Sequence, residues 1–97
     1  MSTYIILGRY TREGITNIKD HPRRREEAQK AFKAVGGEIK DFYFTLGRYD
    51  FVAVCEAPGE EAALKALLTI GSVGAVSTET LVAVPRDKAA EIIRGLP

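Results

Sequence analysis

Two strand-like segments that lie close together in the sequence constrain the fold more than any other feature of this chain. Glu38–Leu46 and Asp50–Ala57 are rich in aromatic and β-branched residues, and only Gly47, Arg48 and Tyr49 separate them. A connection this short joins antiparallel strands, because parallel strands need a crossover of a dozen or more residues. The chain is therefore predicted to form an antiparallel sheet around a tight hairpin.

Two further strands and three helices are predicted on either side of the hairpin. Thr3–Arg9 and Val76–Val84 have the composition of strands, and the polar segment between Tyr10 and Asp20 has room for at most one helical turn. The second helix, 60–71, is acidic at its start and has Ala63, Leu67 and Ile70 on one face. A short terminal helix is predicted over 86–96. The first helix is predicted to begin at Asp20-His21-Pro22, with the Asp20 carboxylate as its cap, and to end at Gly36-Gly37. Its core-facing stripe is Ala28, Ala31, Phe32 and Val35.

The resulting order, β-α-β-β-α-β, predicts the architecture. Right-handed crossovers give a four-stranded antiparallel sheet with strand order 4-1-3-2 and both helices on one face, which is the ferredoxin-like α+β arrangement. The 97 residues are expected to make one domain, 1–97.

Apolar side chains occupy both faces of the predicted strands. The first strand has Tyr4, Ile6 and Tyr10 on one face and Ile5 and Leu7 on the other. The third alternates in the same way, with Phe51, Ala53 and Cys55 opposite Val52 and Val54, and the second is predicted to place Phe42, Phe44 and Leu46 opposite Ile39 and Tyr43.

The sequence leaves open which of these two sets of side chains the helices cover. Soluble monomers rarely expose more than ~300–600 Å² of contiguous apolar surface. We therefore expect a homodimer packed sheet against sheet. The alternative is that the short terminal helix folds over the face that the two longer helices leave uncovered.

Composition excludes several classes of partner. The net charge is about +1, and Arg23-Arg24-Arg25 is followed at once by Glu26-Glu27, a pattern of a solvated helix surface rather than of a nucleic-acid site. A single cysteine, Cys55, excludes an internal disulfide and a structural zinc site. We expect no cofactor, no metal and no membrane contact. No leader peptide is expected either, so the protein is predicted to be cytoplasmic.

The four letters LGRY occur twice, at 7–10 and at 46–49. In the predicted topology the end of the first strand and the hairpin lie at the same edge of the sheet, so the two copies are expected to lie close together. We expect ligand-binding residues at this edge, where cations, phenols and hydroxyls suit a carboxylate or phosphate. They are Arg9, Tyr10, Arg48, Tyr49, Ser72 and Ser77.

Each of these residues also has a purely structural interpretation. Gly8 and Gly47 are expected to be turn residues, with Gly47 at positive φ in the hairpin. The tyrosines could cover the core, and the arginines could be surface charges or partners of Asp50. If the edge is catalytic, the proton carrier would be His21, Tyr49 or Asp50, but sequence alone gives no distance between them.

Three stretches of the chain resemble the GYD domain family. They are the hairpin FYFTLGRYDFVAVCEAP, the turn and strand IGSVGAVSTETL, and the segment EGITNIKDHPRR. The family takes its name from a Gly-x-Tyr-Asp hairpin, matched here by Gly47, Tyr49 and Asp50. The resemblance implies a dimeric α/β barrel in which two ferredoxin-like units pack through their sheets, and it supplies no catalytic residues. A looser similarity, to the effector domain of leucine-responsive regulators, implies binding of amino acids near subunit interfaces. This chain has no helix-turn-helix of the kind that those regulators carry.

Three functions remain open at this point. The first is an oligomeric module that binds a small anionic or aromatic metabolite. The second is a cofactor-independent isomerase or monooxygenase, a type that the wider superfold includes. The third is a structural or assembly subunit. Fold analogy alone does not choose among them.

Overall fold

A four-stranded antiparallel sheet with helices on one face forms the body of the protein. The computed structural model describes residues 1–97. The elements in chain order are β1 Ser2–Tyr10, α1 Arg12–Thr16, a 3-10 turn Ile18–Asp20, α2 His21–Ala34, β2 Glu38–Phe44, β3 Phe51–Ala57, α3 Glu60–Gly71, β4 Val76–Ala83 and α4 Arg86–Arg94. The α+β class is confirmed.

The order along the sheet is β2-β3-β1-β4, which is 4-1-3-2 when read from the β4 edge. All three strand pairs are antiparallel. The pairing sets the two faces, because residues directly opposite each other point to the same side of a sheet. Ile6 of β1 lies opposite Ala53 of β3 and Thr80 of β4, whereas Ile5 lies opposite Val54 and Leu81.

The helices cover the Ile6 face. Phe32 of α2 and Ala63 and Ala66 of α3 are buried in one cluster with residues from the three strands β1, β2 and β3. The strand residues of this cluster are Tyr4, Ile6, Ile39, Ala53, Cys55 and Ala57. The predicted stripes on both helices are confirmed, since Ala28, Ala31, Val35, Leu67 and Ile70 all pack against the cluster.

A β-bulge in β2 corrects the predicted faces of that strand. Ile39 is opposite Cys55 and Asp41 is opposite Val54, so Lys40 between them has no partner. The extra residue reverses the alternation. Ile39 and Phe42 therefore lie on the same, helix-covered face, although simple alternation placed them on opposite faces.

The hairpin is wider than three residues. β2 ends at Phe44 and β3 begins at Phe51, so a six-residue loop, 45–50, joins them. Thr45 closes this loop, since its N–H donates to the Asp50 carbonyl (2.9 Å) and its hydroxyl donates to the Tyr49 carbonyl (2.7 Å). The strands were predicted too long because Leu46, at the tip of the loop, is apolar but fully exposed.

The segment before α2 has more structure than expected. It contains α1, capped by the Thr11 hydroxyl, which accepts from the Gly14 N–H (3.1 Å), and then the 3-10 turn. Because that turn runs directly into α2, Asp20 does not cap the helix with its side chain; it forms an ion pair with Arg23 (3.5 Å). The predicted capping role of Asp20 is therefore wrong.

The other face of the sheet, here called the free face, has no helix over it. Its apolar side chains are Ile5, Leu7, Tyr43, Val52, Val54 and Leu81. The terminal helix α4 buries none of its residues, and no strand packs extensively against it. The alternative in which this helix covers the free face is therefore not what the structure shows. None of the helices has both the length and the apolar character that a bilayer crossing requires.

Candidate functional site

A cavity of about 150 Å³ lies between the helix-covered face of the sheet and the helices. We call it the helix-side cavity. Its apolar wall comes from the sheet, α2 and α3, and includes Ile6, Ala28, Phe32, Ile39, Phe42, Phe51, Leu67 and Ile70. Exposed residues such as Ile18 and Val73 also line it, so it opens to solvent beside the 3-10 turn and the end of α3.

Aromatic rings pack side by side along the sheet wall of this cavity. The rings of Phe42 and Phe51 are stacked with centroids 5.1 Å apart, and Phe44 contacts Phe42 edge-on at 5.3 Å. His21, the first residue of α2, lies 4.7 Å from Phe44, and Tyr10 lies 5.4 Å from Phe51. An aromatic wall of this kind suits a flat apolar group.

Tyr10 and His21 meet at the cavity. The Tyr10 hydroxyl is 3.5 Å from His21 Nδ1, which is long for a hydrogen bond. Burial, and secondarily the negative charge of Asp50, raises the pKa of Tyr10. Burial, and secondarily the positive charge of Arg25, lowers the pKa of His21. At neutral pH the pair is therefore a neutral phenol beside a neutral imidazole.

Three arginines of α2, Arg23, Arg24 and Arg25, also line the cavity together with Glu27, contrary to their predicted place on a solvated helix surface. Arg24 and Arg25 are half-buried, and the Arg25 guanidinium lies 5.7 Å from the centre of the Phe42 ring. Arg24 Nη2 contacts Glu13 Oε1 (3.4 Å). Its Nε and Nη1 are buried and have no hydrogen-bond partner.

A pattern in the sequence could have identified two of these arginines. The buried stripe of α2 contains Ala28, and steps of three and four residues back from it reach Arg25 and Arg24. One more step of four, from Arg25, reaches His21. The charge pattern of the Arg-Arg-Arg-Glu-Glu run favours a solvated surface instead, because composition alone does not take helical phase into account.

The two LGRY segments do come together, as expected. Arg9 Nε donates to the Arg48 carbonyl (2.8 Å), and the Arg9 guanidinium lies 5.1 Å from the centre of the Tyr49 ring. The Tyr49 hydroxyl donates to Glu79 Oε1 (3.0 Å). Leu7, Arg9, Tyr49, Ser77, Thr78 and Glu79 line a second, open cavity of about 150 Å³.

The sheet separates the predicted site residues into two groups. Arg9 and Ser77 are paired on the free face, whereas Tyr10 and His21 line the helix-side cavity. Ser72 lines neither cavity; its hydroxyl donates to the Thr69 carbonyl (2.8 Å) at the end of α3. The structure therefore does not gather the six predicted ligand-binding residues into one site within one chain.

The three candidate proton carriers are likewise apart. His21 lines the helix-side cavity and Tyr49 lines the open one. Asp50 lines neither, and its Oδ2 accepts from the Tyr10 N–H (2.9 Å). Asp50 thus holds the loop 45–50 against the end of β1, a structural contact that its own N–H to the Gly8 carbonyl (2.8 Å) reinforces.

The two glycines of LGRY differ from each other. Gly47 has φ +118°, the left-handed region that was predicted for it. Gly8 is not a turn residue as expected; it lies within β1 and is buried, because the ring of Phe51 covers it. No group of three or more His, Cys, Asp and Glu side chains lies together as a metal site would require.

The residues of the hairpin loop and a match to a family model together identify the family of this chain. Gly47, Tyr49 and Asp50 occupy the loop between β2 and β3, and the GYD domain model matches residues 4–93. The chain belongs to the GYD domain family. This GYD domain is 36% identical, over 88% of its length and 90% of the relative's, to a protein of Thermus thermophilus named "Glutamine synthetase and cystathionine beta-lyase binding protein".

A solved structure supports the fold. The crystal structure of TTHA0845 from Thermus thermophilus matches this GYD domain with a TM-score of 0.53 at 26% identity. The match covers 88% of this chain and 95% of that one.

Proposed function

We propose that this GYD domain is an oligomeric module that binds a small anionic or aromatic molecule in the helix-side cavity. The observation that carries the proposal is the cavity itself: an apolar, aromatic-walled space that also has His21, the arginines 23–25 and Glu27 on its lining. Apolar walls with a few polar groups are the usual composition of a ligand pocket. Side chains normally fill protein interiors and leave few voids larger than a water molecule, so a cavity of this size favours a binding role.

The size of the cavity limits the ligand. Pockets for drug-sized molecules measure about 300–1,000 Å³, whereas this one measures about 150 Å³. An engineered apolar cavity of roughly that volume in another protein binds benzene. The ligand is therefore one ring or one branched chain with a small polar group.

A cavity-filling substitution tests this proposal. Ala28 lines the cavity, so Ala28→Leu is expected to fill it and to weaken the binding of toluene, measured by ligand-observed NMR, at least tenfold. The matched control is Ala34→Leu, at an exposed position of the same helix. Absence of toluene binding to the unmodified protein, or equal binding by both variants, would count against the cavity as a ligand site.

The oligomer is proposed to be a homodimer through the free face. Ile5, Leu7, Val52 and Val54 lie on paired, central strands and form a contiguous apolar surface. Surfaces of this kind in soluble proteins commonly mark interaction sites, and a second copy presents the same surface in a two-fold arrangement. Such a dimer would enclose the Arg9–Tyr49–Glu79 contacts at its edge.

Light scattering distinguishes the dimer from a 10.6 kDa monomer. Val54→Lys, in the centre of the free face, is expected to convert the dimer to a monomer, because the lysine charge would lose its water on association. Val82→Lys makes the same change at an exposed position opposite Tyr4, on the other face, and is expected to leave the dimer intact. A monomeric unmodified protein at micromolar concentration would refute the dimer.

A second candidate function is binding to enzymes. The relative that is 36% identical is named for binding glutamine synthetase and cystathionine beta-lyase, and the similarity extends over most of both chains. This supports the same kind of interaction for this GYD domain. The test is titration of the labelled full chain with each purified enzyme, with an unrelated enzyme of similar charge as control. Anisotropy that rises for neither enzyme more than for the control would remove this candidate.

A further inference from the structure

Arg24 stands apart from the other charged residues of the protein. Its Nε and Nη1 are the only buried side-chain nitrogen or oxygen atoms without a hydrogen-bond partner. Leaving a buried charged donor unsatisfied is costly, and native structures rarely do so without a reason. The same residue lines the helix-side cavity. An acceptor in the cavity would satisfy these nitrogens if the guanidinium turns toward it, because both atoms are buried as they lie.

We infer that the helix-side cavity binds the carboxylate form of a small apolar acid, with Arg24 as the residue that binds the carboxylate group. This inference rests on the proposed function, and it adds the chemical class of the ligand and the residue that recognises it. The apolar part of the acid packs against the rings of Phe42 and Phe51.

The charge of Arg24 favours a carboxylate over a phosphate. One guanidinium carries a single positive charge, which one carboxylate balances. A phosphate group carries nearly two charges and three strong acceptor oxygens. The neighbouring Tyr10 has no cationic form, and burial, with the Arg25 charge second, lowers the pKa of His21, so neither adds a positive charge at neutral pH.

The remaining charges explain why Arg24 in particular is available. Arg23 also lines the cavity but pairs with Asp20 (3.5 Å), and Arg25 lies over the Phe42 ring. Glu27, on the same lining, carries a negative charge. Glu13 occupies only Nη2 of Arg24. It therefore competes only in part for the charge of the guanidinium.

Three probes of similar size separate the contribution of the aromatic ring to binding from that of the negative charge. Benzoate carries the ring and the charge, benzamide has the same shape without charge, and toluene has only the ring. We expect benzoate to bind the full-length protein at least tenfold more tightly than benzamide, because hydrogen bonds between ionised groups are about twice as strong as neutral ones. Isothermal titration at pH 7 and low salt measures all three.

Substitution of Arg24 identifies the donor. Arg24→Met keeps most of the side-chain length and removes every N–H, so benzoate affinity is expected to fall tenfold or more while toluene affinity stays within twofold. Lys30→Met removes the same charge from an exposed position of α2 outside the cavity and is expected to leave both unchanged. Glu13→Gln removes the competing carboxylate, so benzoate is expected to bind more tightly to this variant.

A measurement on the unmodified protein keeps the inference testable if Arg24→Met does not fold. The ¹⁵Nε–¹Hε resonance of Arg24 is expected to shift on addition of benzoate and not on addition of toluene. The inference is overturned if toluene binds but benzoate binds no better than benzamide, or if benzoate leaves that resonance unmoved. That result leaves the proposed function standing. Failure of all three probes to bind would instead refute the proposed function, and the inference with it.

Discussion

Gly8 and Phe51 are paired across β1 and β3, and the Phe51 ring lies directly over the Gly8 Cα. A Cβ at Gly8 would overlap that ring. Phe51 is buried and lines the helix-side cavity, so it cannot move outward. Gly8→Ala is therefore expected to push the ring into the cavity and to lower the free energy of unfolding by about 1–3 kcal/mol.

Urea unfolding of Gly8→Ala beside Gly71→Ala checks this expectation. A Cβ at Gly71, in α3, would meet no atom within 4 Å, so alanine there is expected to be neutral or to stabilise by up to about 1 kcal/mol. Toluene binding should also weaken in Gly8→Ala only. Equal unfolding midpoints for the two variants would show that the Phe51 ring does not require glycine beneath it.

His21 makes stability depend on pH. Burial, and then the Arg25 charge, lowers its pKa below the ordinary value of 6.5 in the folded protein. Between the folded and unfolded pKa values the unfolded chain binds more protons, so stability falls as pH decreases through this range. Above about pH 6.5 the residue makes no difference, and below the folded pKa the loss is complete. The groups that face it, the Tyr10 hydroxyl and the Phe42 and Phe44 rings, offer no anion to offset the charge.

Unfolding by urea at several pH values between 7.5 and 5 measures this dependence. In His21→Asn, which has no proton to bind in this range, the decrease in stability toward low pH is expected to be smaller than in the unmodified protein. Carboxyl groups contribute to both curves and cancel in the difference. Parallel curves for the two proteins would mean that the folded-state pKa of His21 is not lowered.

Cys55 is predicted to be chemically inert in the folded protein. Burial raises the pKa of its thiol to about 12, although the positive charge of Arg25 acts in the opposite direction. At pH 8 the thiolate fraction is then about 10³-fold lower than that of an ordinary cysteine with a pKa near 8.5. Labelling by a disulfide reagent is expected to be slow and to speed up only as denaturant unfolds the chain. Ser2→Cys, which adds an exposed thiol, supplies the fast control; equally fast labelling of both thiols would contradict the prediction.

The sequence predicted the β-α-β-β-α-β order because that information is local. Strand composition, helical stripes and the Gly36-Gly37 helix end are each visible within a short segment, and α3 has its predicted bounds, 60–71. What could not be predicted depends on register. The bulge at Lys40 reverses the faces of β2, and no residue type there signals it in advance.

The site was harder to predict than the fold for a related reason. Adjacent residues of a strand point to opposite faces, so Arg9 and Tyr10 cannot share a pocket within one chain, however close their backbones lie. The charge of Arg24 indicates a solvent-exposed residue, whereas its helical phase places it on the core-facing stripe of α2, beside the cavity. Where charge and phase disagree, the buried charged residue is the better candidate for function.

Gln29 makes a contact beside the bulge that sequence does not reveal. Its side-chain carbonyl accepts from the Ile39 N–H (2.8 Å), and its amide donates to the Ile39 carbonyl (3.1 Å). Because β2 is an edge strand, these backbone groups have no neighbouring strand to bind, and Gln29 takes the place of one.

Gln29→Leu removes both hydrogen bonds at a half-buried site and is expected to lower the free energy of unfolding by about 1–3 kcal/mol. Lys30→Leu, at the next and exposed position, is expected to change it by less than about 0.5 kcal/mol. Hydrogen exchange gives an independent check: the Ile39 amide should lose its protection in Gln29→Leu, and retained protection would mean that the side chain does not hold the strand edge.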